Sequence, residues 1–373
     1  MLIWSWFIVL FLKDELQKRD LPPLLQMRDG SPVIPGTWRK RRKELLDILS
    51  ENIYGRTPPA PPEVRSEIDK GTRHDDFAGK ITARKIILAF DTPSGEFKFP
   101  FYLFIPKAVK NPPVFLHIAF RPDIPDQYTP VEEITDNGFA LALVCYHDIT
   151  PDTHDGDFTQ GLMGMYYTGE RKPNEWGKIG TWAYAASRIL DYLYACGEVN
   201  ADRTAVIGHS RLGKTALWTA AQDERFFMAV SNNSGFGGAA IAKRGSGERV
   251  VDFKRAGSWD WFCETFKTYD GIEDENTVYD QHMLLAAIAP RAICVGSAEI
   301  DRGADPQSEF LSCLVASEVY DLLGHYGLVT PDEYPVPHTV LHGGKIGYHI
   351  RPGYHFFSRT DWLEYMKFFK GQI

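Results

Sequence analysis

The segment that most constrains this chain is PVFLHIAF at 113–120, an apolar run broken by a single histidine. A strand with one face in water alternates polar and apolar residues, so an almost unbroken apolar run of this length belongs to a strand buried on both faces. Another run of the same length stands at 139–146, and shorter ones at 204–207, 228–230 and 291–295. Helical patterns lie between them. In 181–197, Trp182, Ala186, Ile189 and Leu193 share one face, and 214–222 and 362–369 also read as helices. Strands alternating with helices from residue 113 onward predict an α/β fold with a mostly parallel central sheet covered by helices on both faces. Earlier in the chain, 80–90 and 97–105 read as two strands joined by a Pro-Ser-Gly turn.

The first 77 residues read as a lead-in that packs on one catalytic domain, 78–373. The lead-in holds one helix near 37–54, with an apolar stripe of Leu45, Leu46, Leu49 and Ile53. The basic run 38–43 fits the solvated start of that helix, and Pro58, Pro59, Pro61 and Pro62 mark an extended linker. Residues 1–12 are apolar but too short to span a bilayer, which takes about 20. They lack the basic start and small-residue cleavage site of a signal peptide, so a cytoplasmic location is expected over secretion.

A formal net charge of −8 gives the chain no reason to seek nucleic acid or an anionic membrane. The five cysteines form no CxxC pair and are odd in number, so neither a disulfide framework nor a zinc site is expected. Cys145 and Cys294 lie in apolar runs and read as core. Aromatic residues make up 13%, which suits a large core or a cleft that stacks on sugar rings.

The chemistry centres on GHSRLGK at 208–214. A G-x-S match can be an ordinary strand-to-helix turn. Here it joins a β-branched strand to a helix, which is what a nucleophile elbow requires: a tight turn lifts the Ser210 hydroxyl clear and aims the helix N-terminus at a developing oxyanion. The pattern is G-x-S-x-x-G, not the commoner G-x-S-x-G. His355, on the segment before the last helix, is the first candidate for the general base, with His349 in a strand-like run as its competitor. His209 adjoins the serine and is expected to point away from it. For the acid that orients the histidine, the loop after 291–295 offers Asp301 first, then Glu299, then Asp305; each could equally be a solvated loop residue. Such a mechanism needs no cofactor and no metal.

GHSRLGK resembles the G-C-S-R-x-G-K motif of glucuronoyl esterases, carbohydrate esterase family 15. The likeness extends to YGRTP at 54–58, SNNSGFGG at 231–238, QHML at 281–284, ADP at 304–306 and the stretch 348–362. It is similar to bacterial members, some labelled acetylxylan esterases. The resemblance implies an α/β-hydrolase fold and a serine carboxylic-ester hydrolase acting on plant cell-wall carbohydrate. Ser210 would be the nucleophile, His355 the base and Arg211 an oxyanion donor, while Lys214 would bind sugar hydroxyls. Gln281 also falls in a matched segment and is a candidate substrate contact. Two departures stand out. Asn233 occupies the position where some members carry the acid, which moves that role to 299–301. Arg302 and Gly303 stand where members usually carry a tryptophan that packs on the uronic sugar. Trp259, Trp261 and Glu264 could line the pocket instead, or the two tryptophans could be core. The expected substrate is thus a 4-O-methyl-glucuronoyl ester, with an acetylated xylan as the alternative. An inactive hydrolase fold that only binds carbohydrate is the contrasting reading, motivated by Asn233.

Overall fold

The computed structural model describes residues 12–69, 77–123, 126–272 and 277–373. The apolar segment 1–12 therefore lies outside the described residues, except for Leu12, which is buried at the start of a short helix, Leu12–Gln17.

Ten strands form one sheet: β1 (Arg65–Ile68), β2 (Ile81–Thr92), β3 (Gly95–Pro106), β4 (Pro113–Ala119), β5 (Ala140–Cys145), β6 (Asn200–His209), β7 (Met228–Asn232), β8 (Ala292–Ala298), β9 (Val340–Leu341) and β10 (Ile346–Arg351). Their order is β1-β2-β3-β5-β4-β6-β7-β8-β10-β9. From β5 through β4, β6, β7 and β8 to β10 the strands run parallel; β1, β2, β3 and β9 pair antiparallel at the two edges.

The apolar run at 113–120 behaves as its composition demands. Val114, Leu116 and Ile118 of β4 enter the core on one side of the sheet, and Phe115 and Ala119 enter the core on the other. Side chains alternate along a strand, so a strand covered on both faces is apolar on both; the one exception, buried His117, has its Nδ1 3.1 Å from Thr129 Oγ1. The first face is covered by the helices Lys178–Cys196 and Arg211–Gln222, and the second by Arg359–Lys370 through Trp362, Tyr365, Met366 and Phe369. Lys178–Cys196 stops at Gly197, whose φ of 66° suits the left-handed cap a residue without Cβ adopts freely.

Three parts of the sequence reading need correction. The helix Trp38–Leu49 buries Leu45 and Leu49, but its basic run is only partly solvated. Arg41 reaches the carbonyls of Leu24 and Pro23, while Arg42 reaches those of Ala221 and Ala287. The two guanidinium groups thus satisfy carbonyls at loop and helix ends and dock the lead-in. Secondly, the lead-in supplies β1 beyond its proline segment; this edge strand covers almost nothing, so it has no apolar alternation to read. Thirdly, the helix Pro306–Leu322 is missing from that reading; it buries serines and a glutamate beside its apolar residues, which blurs the helical period.

Candidate active site

Adjacent parallel strands β6, β7, β8 and β10 all end at the same edge of the sheet, so the loops after them converge there. Ser210 follows β6 directly with φ 57° and ψ −129°, outside the helix that begins at Arg211. A non-glycine residue held there costs about 1–3 kcal/mol and persists only where its surroundings force it. Here the Ser210 N–H donates to the Asn232 carbonyl at 2.8 Å, and the Ser210 carbonyl accepts from Gly213 at 2.9 Å and Lys214 at 3.1 Å. The turn is tight enough that a Cβ on Gly208 would lie 2.1 Å from the Leu212 carbonyl oxygen. This is the physical content of the glycine two residues before the serine.

His355 sits on the loop after β10. Its Nδ1 lies 2.6 Å from Asp301 Oδ2, on the loop after β8. Asp301 Oδ2 also accepts from Asn233 Nδ2 at 2.9 Å, and Oδ1 accepts from the Ala304 N–H at 3.3 Å. Burial pushes the Asp301 carboxyl up, but the His355 hydrogen bond and charge, with Asn233 and Ala304, outweigh it and hold the group below its ordinary value. It is an anion at neutral pH. Asn233, itself at φ 47°, is thus a neutral donor to the acid. His355 is 45% exposed while Asp301 is nearly covered, so part of the imidazole is open to solvent. Arg351 braces the base loop by donating to the carbonyls of Pro352, Tyr354 and Phe356, and its Nε is held by Asp361 at 2.9 Å.

His209 packs its ring 4.4 Å from that of His355. Asn232 gives its Nδ2 to Tyr365 at 2.8 Å, so its Oδ1 must accept from His209 Nδ1 at 2.7 Å. Burial, with His355 beside it, lowers His209 to about 3 and keeps it neutral. It therefore turns towards Asn232 and packs on His355.

The competing candidates lie elsewhere. His349 is buried in β10 with Nε2 on Asp361 at 2.9 Å. Glu299 is exposed and lines, with Ser246, Arg302, Asp305 and Tyr334, a separate cavity of about 460 Å³. Asp305 caps the helix Pro306–Leu322, accepting from the N–H groups of Ser308 and Ser246. Its oxygens are committed to that cap, which rules it out as the partner of His355.

Arg211 pairs with Asp152 and lies 4.5 Å over the Trp261 ring. Trp261 Nε1 donates to the other Asp152 oxygen at 2.8 Å. The buried Arg211 Nε has no hydrogen-bond partner among the described residues. Lys214, one helical turn on, is 2% exposed; its Nζ donates to the Ser234 carbonyl at 2.6 Å and to Glu248 at 3.1 Å.

The family model described as "Glucuronyl esterase, fungi" matches residues 124–324. The chain is 31% identical over 401 residues to carbohydrate esterase MZ0003 from an unknown prokaryotic organism, covering 96% of this chain and 91% of that one. The solved glucuronoyl esterase from Solibacter usitatus superposes with a TM-score of 0.85 at 36% identity, over 94% of this chain and 97% of that one. The chain belongs to the glucuronoyl esterase family. It is a carboxylic ester hydrolase of the α/β-hydrolase fold. A further relative, the 4-O-methyl-glucuronoyl methylesterase of Schizophyllum commune, is 25% identical over 324 residues, 82% of this chain and 74% of that one.

Within this glucuronoyl esterase family member, several expected sugar contacts are occupied or covered. Gln281 is fully buried against the Tyr54 hydroxyl, so it cannot touch a bound sugar in this conformation. Glu264 holds Arg171 at 2.6 Å and Lys267 at 2.7 Å. Trp261 is buried as the brace of Arg211 and Asp152, and Trp259 packs edge-on against Phe266. Glu248 was not legible in the sequence, because it carries no motif. Its N–H donates to the Gly303 carbonyl at 3.0 Å. A Cβ on Gly303 would meet only Asp301 Oδ1, at 3.9 Å, so this side of the site is open where members of the family usually carry tryptophan. Glu309 was also missed. Its buried carboxyl accepts from the N–H groups of Ser234 and Gly235 and from Ser297 Oγ, which fixes the loop after β7. Burial raises it to about 7 against the pull of those donors.

Proposed function

We propose that this protein hydrolyses 4-O-methyl-glucuronoyl esters of plant cell-wall carbohydrate, with Ser210, His355 and Asp301 as its catalytic triad. The observation that carries the reading is the 2.6 Å contact of His355 with Asp301, on a loop packed beside the strained serine turn. Asp301 fixes the imidazole with its proton on Nδ1, leaving Nε2 as the base. Ser210 Oγ attacks the ester carbonyl while His355 takes its proton. The oxyanion then rests on the Arg211 guanidinium and on backbone N–H groups at the start of the elbow helix. His355 returns the proton to the departing alcohol, and the acyl-enzyme forms. Water, deprotonated by His355, then releases the uronic acid.

Lys214 and Glu248 form the polar wall that would meet the sugar hydroxyls. Lys214 has a third donor beyond Ser234 and Glu248, and Glu248 is the partly exposed member of the pair. Their charges suit a polar acyl sugar better than a bare acetyl group.

The direct test compares benzyl glucuronate with acetylated xylan. Hydrolysis of the glucuronate, lost in Ser210→Ala, is the expected result. Release of acetate alone would assign the open Gly303 side to an acetyl esterase. Failure of Ser210 to react with a fluorophosphonate probe, in folded protein, would leave only a carbohydrate-binding fold.

A further inference from the structure

Behind the base loop, β8, β9 and β10 bring together three side chains that the esterase chemistry does not use. Cys294 on β8, His342 just after β9 and His349 on β10 each offer a ligand atom, and the three atoms lie within 4.8 Å of one another. Cys294 faces Gly347 across the parallel β8–β10 pair, and His349 faces Val340 across the antiparallel β10–β9 pair. Alternation along β10 puts Gly347 and His349 on one face of the sheet. Gly347 adds no side chain between its neighbours, and a Cβ there would lie 2.7 Å from the Phe368 ring.

Two side-chain nitrogens in this cluster lack partners. His349 is 2% exposed, and its Nε2 is held by the Asp361 carboxylate at 2.9 Å. A carboxylate only accepts, so Nε2 carries the hydrogen and Nδ1 presents a lone pair. That Nδ1 is buried without a hydrogen bond, and so is His342 Nε2. Each such nitrogen keeps its hydrogen-bonding capacity unused inside the protein. Here two of them flank a fully buried thiol. A carboxylate on the far nitrogen of a histidine is also the arrangement that orients and strengthens metal-binding imidazoles.

We propose that Cys294, His342 and His349 bind one zinc ion. One sulfur and two imidazole nitrogens form a borderline-soft donor set that suits Zn²⁺ and not Mg²⁺ or Ca²⁺. On binding, the Cys294 S–H proton passes to solvent and a zinc–sulfur bond forms. Three protein ligands leave one position for a small donor such as water. The site ties β8 and β10 to the segment after β9. Asp361 joins it to the catalytic loop, because the same carboxylate that holds His349 holds Arg351, which braces the carbonyls around His355. The absence of a CxxC pair pointed away from zinc. These ligands instead come from two strands and the segment after a third, a pattern that only the sheet assembles.

The test uses the full chain, stripped with a chelator and titrated with Co²⁺ and Zn²⁺. The expected result is one Co²⁺ per chain with a thiolate-to-cobalt charge-transfer band, displaced by Zn²⁺, together with a rise in Tm on adding Zn²⁺. Cys294→Ser abolishes the band, and His342→Gln weakens Zn²⁺ affinity at least about tenfold. A wild-type spectrum without the thiolate band overturns the proposal, as does a band that persists in Cys294→Ser. Should either variant fail to fold, the wild-type cobalt spectrum still decides.

Discussion

Asp301→Asn removes one charge from the site at almost constant volume, and the geometry sets its effect. Asp301 Oδ2 receives two donors, from His355 at 2.6 Å and Asn233 at 2.9 Å, while Oδ1 receives the Ala304 N–H. An amide cannot accept on both sides. With its nitrogen at the Oδ2 position, it faces the two former donors. Turned over, it faces the Ala304 N–H. The first arrangement forces His355 to accept at Nδ1 and carry its hydrogen on Nε2, where it cannot take the Ser210 proton. The second keeps the His355 bond but loses the anion that stabilises the imidazolium. Loss of the corresponding anion in a serine protease lowers kcat about 10⁴-fold, or about 5 kcal/mol, and a fall of that order is expected here. KM should change little, since Asp301 lies behind the base. The assay is steady-state hydrolysis of benzyl glucuronate, with circular dichroism to show the variant folded. A folded Asp301→Asn enzyme with kcat within about tenfold of wild type would refute the triad.

Further outcomes follow from the same contacts. Arg211→Lys keeps a charge near Asp152 but loses the guanidinium plane over Trp261 and the free Nε–H, so kcat should drop about 10²-fold on the same ester, with the Tm little changed. Gly208→Ala places a Cβ 2.1 Å from the Leu212 carbonyl, which the turn relieves only by opening; urea unfolding should show a loss of about 1–3 kcal/mol or more, along with activity. For Asp361, burial raises the carboxyl, but the His349 hydrogen bond and charge and Arg351 outweigh it and bring it to about 2 from 3.8. A depressed carboxylate contributes stability that is full above its unfolded value and is lost as pH falls through the folded one. About 2 kcal/mol should therefore disappear between roughly pH 4 and pH 2. Urea midpoints across that window should fall for wild type and stay flatter for Asp361→Asn.

The sequence by itself pointed to the mostly parallel sheet and to the tight turn at Ser210. Buried parallel strands are apolar on both faces, and a serine set between such a strand and a helix, two residues after a glycine, marks the tight turn of an elbow. The meeting of His355 with Asp301 was also legible, because their loops follow strands that the fold must place side by side. Sequence could rank Asp301, Glu299 and Asp305, but only the tertiary structure could separate them. A loop of a few residues turns its side chains in different directions: Asp301 to His355, Glu299 to a separate cavity, Asp305 to a helix cap. The same limit explains why Gln281 looked available and proved buried, and why Asp152, Glu248 and Glu309 went unseen. Their roles rest on partners far along the chain, such as Asp152 with Arg211 and Glu309 with Ser234. Local patterns record what a residue does within its own element. Which buried charge meets which, across loops of the sheet edge, is decided only when β6, β7, β8 and β10 lie together.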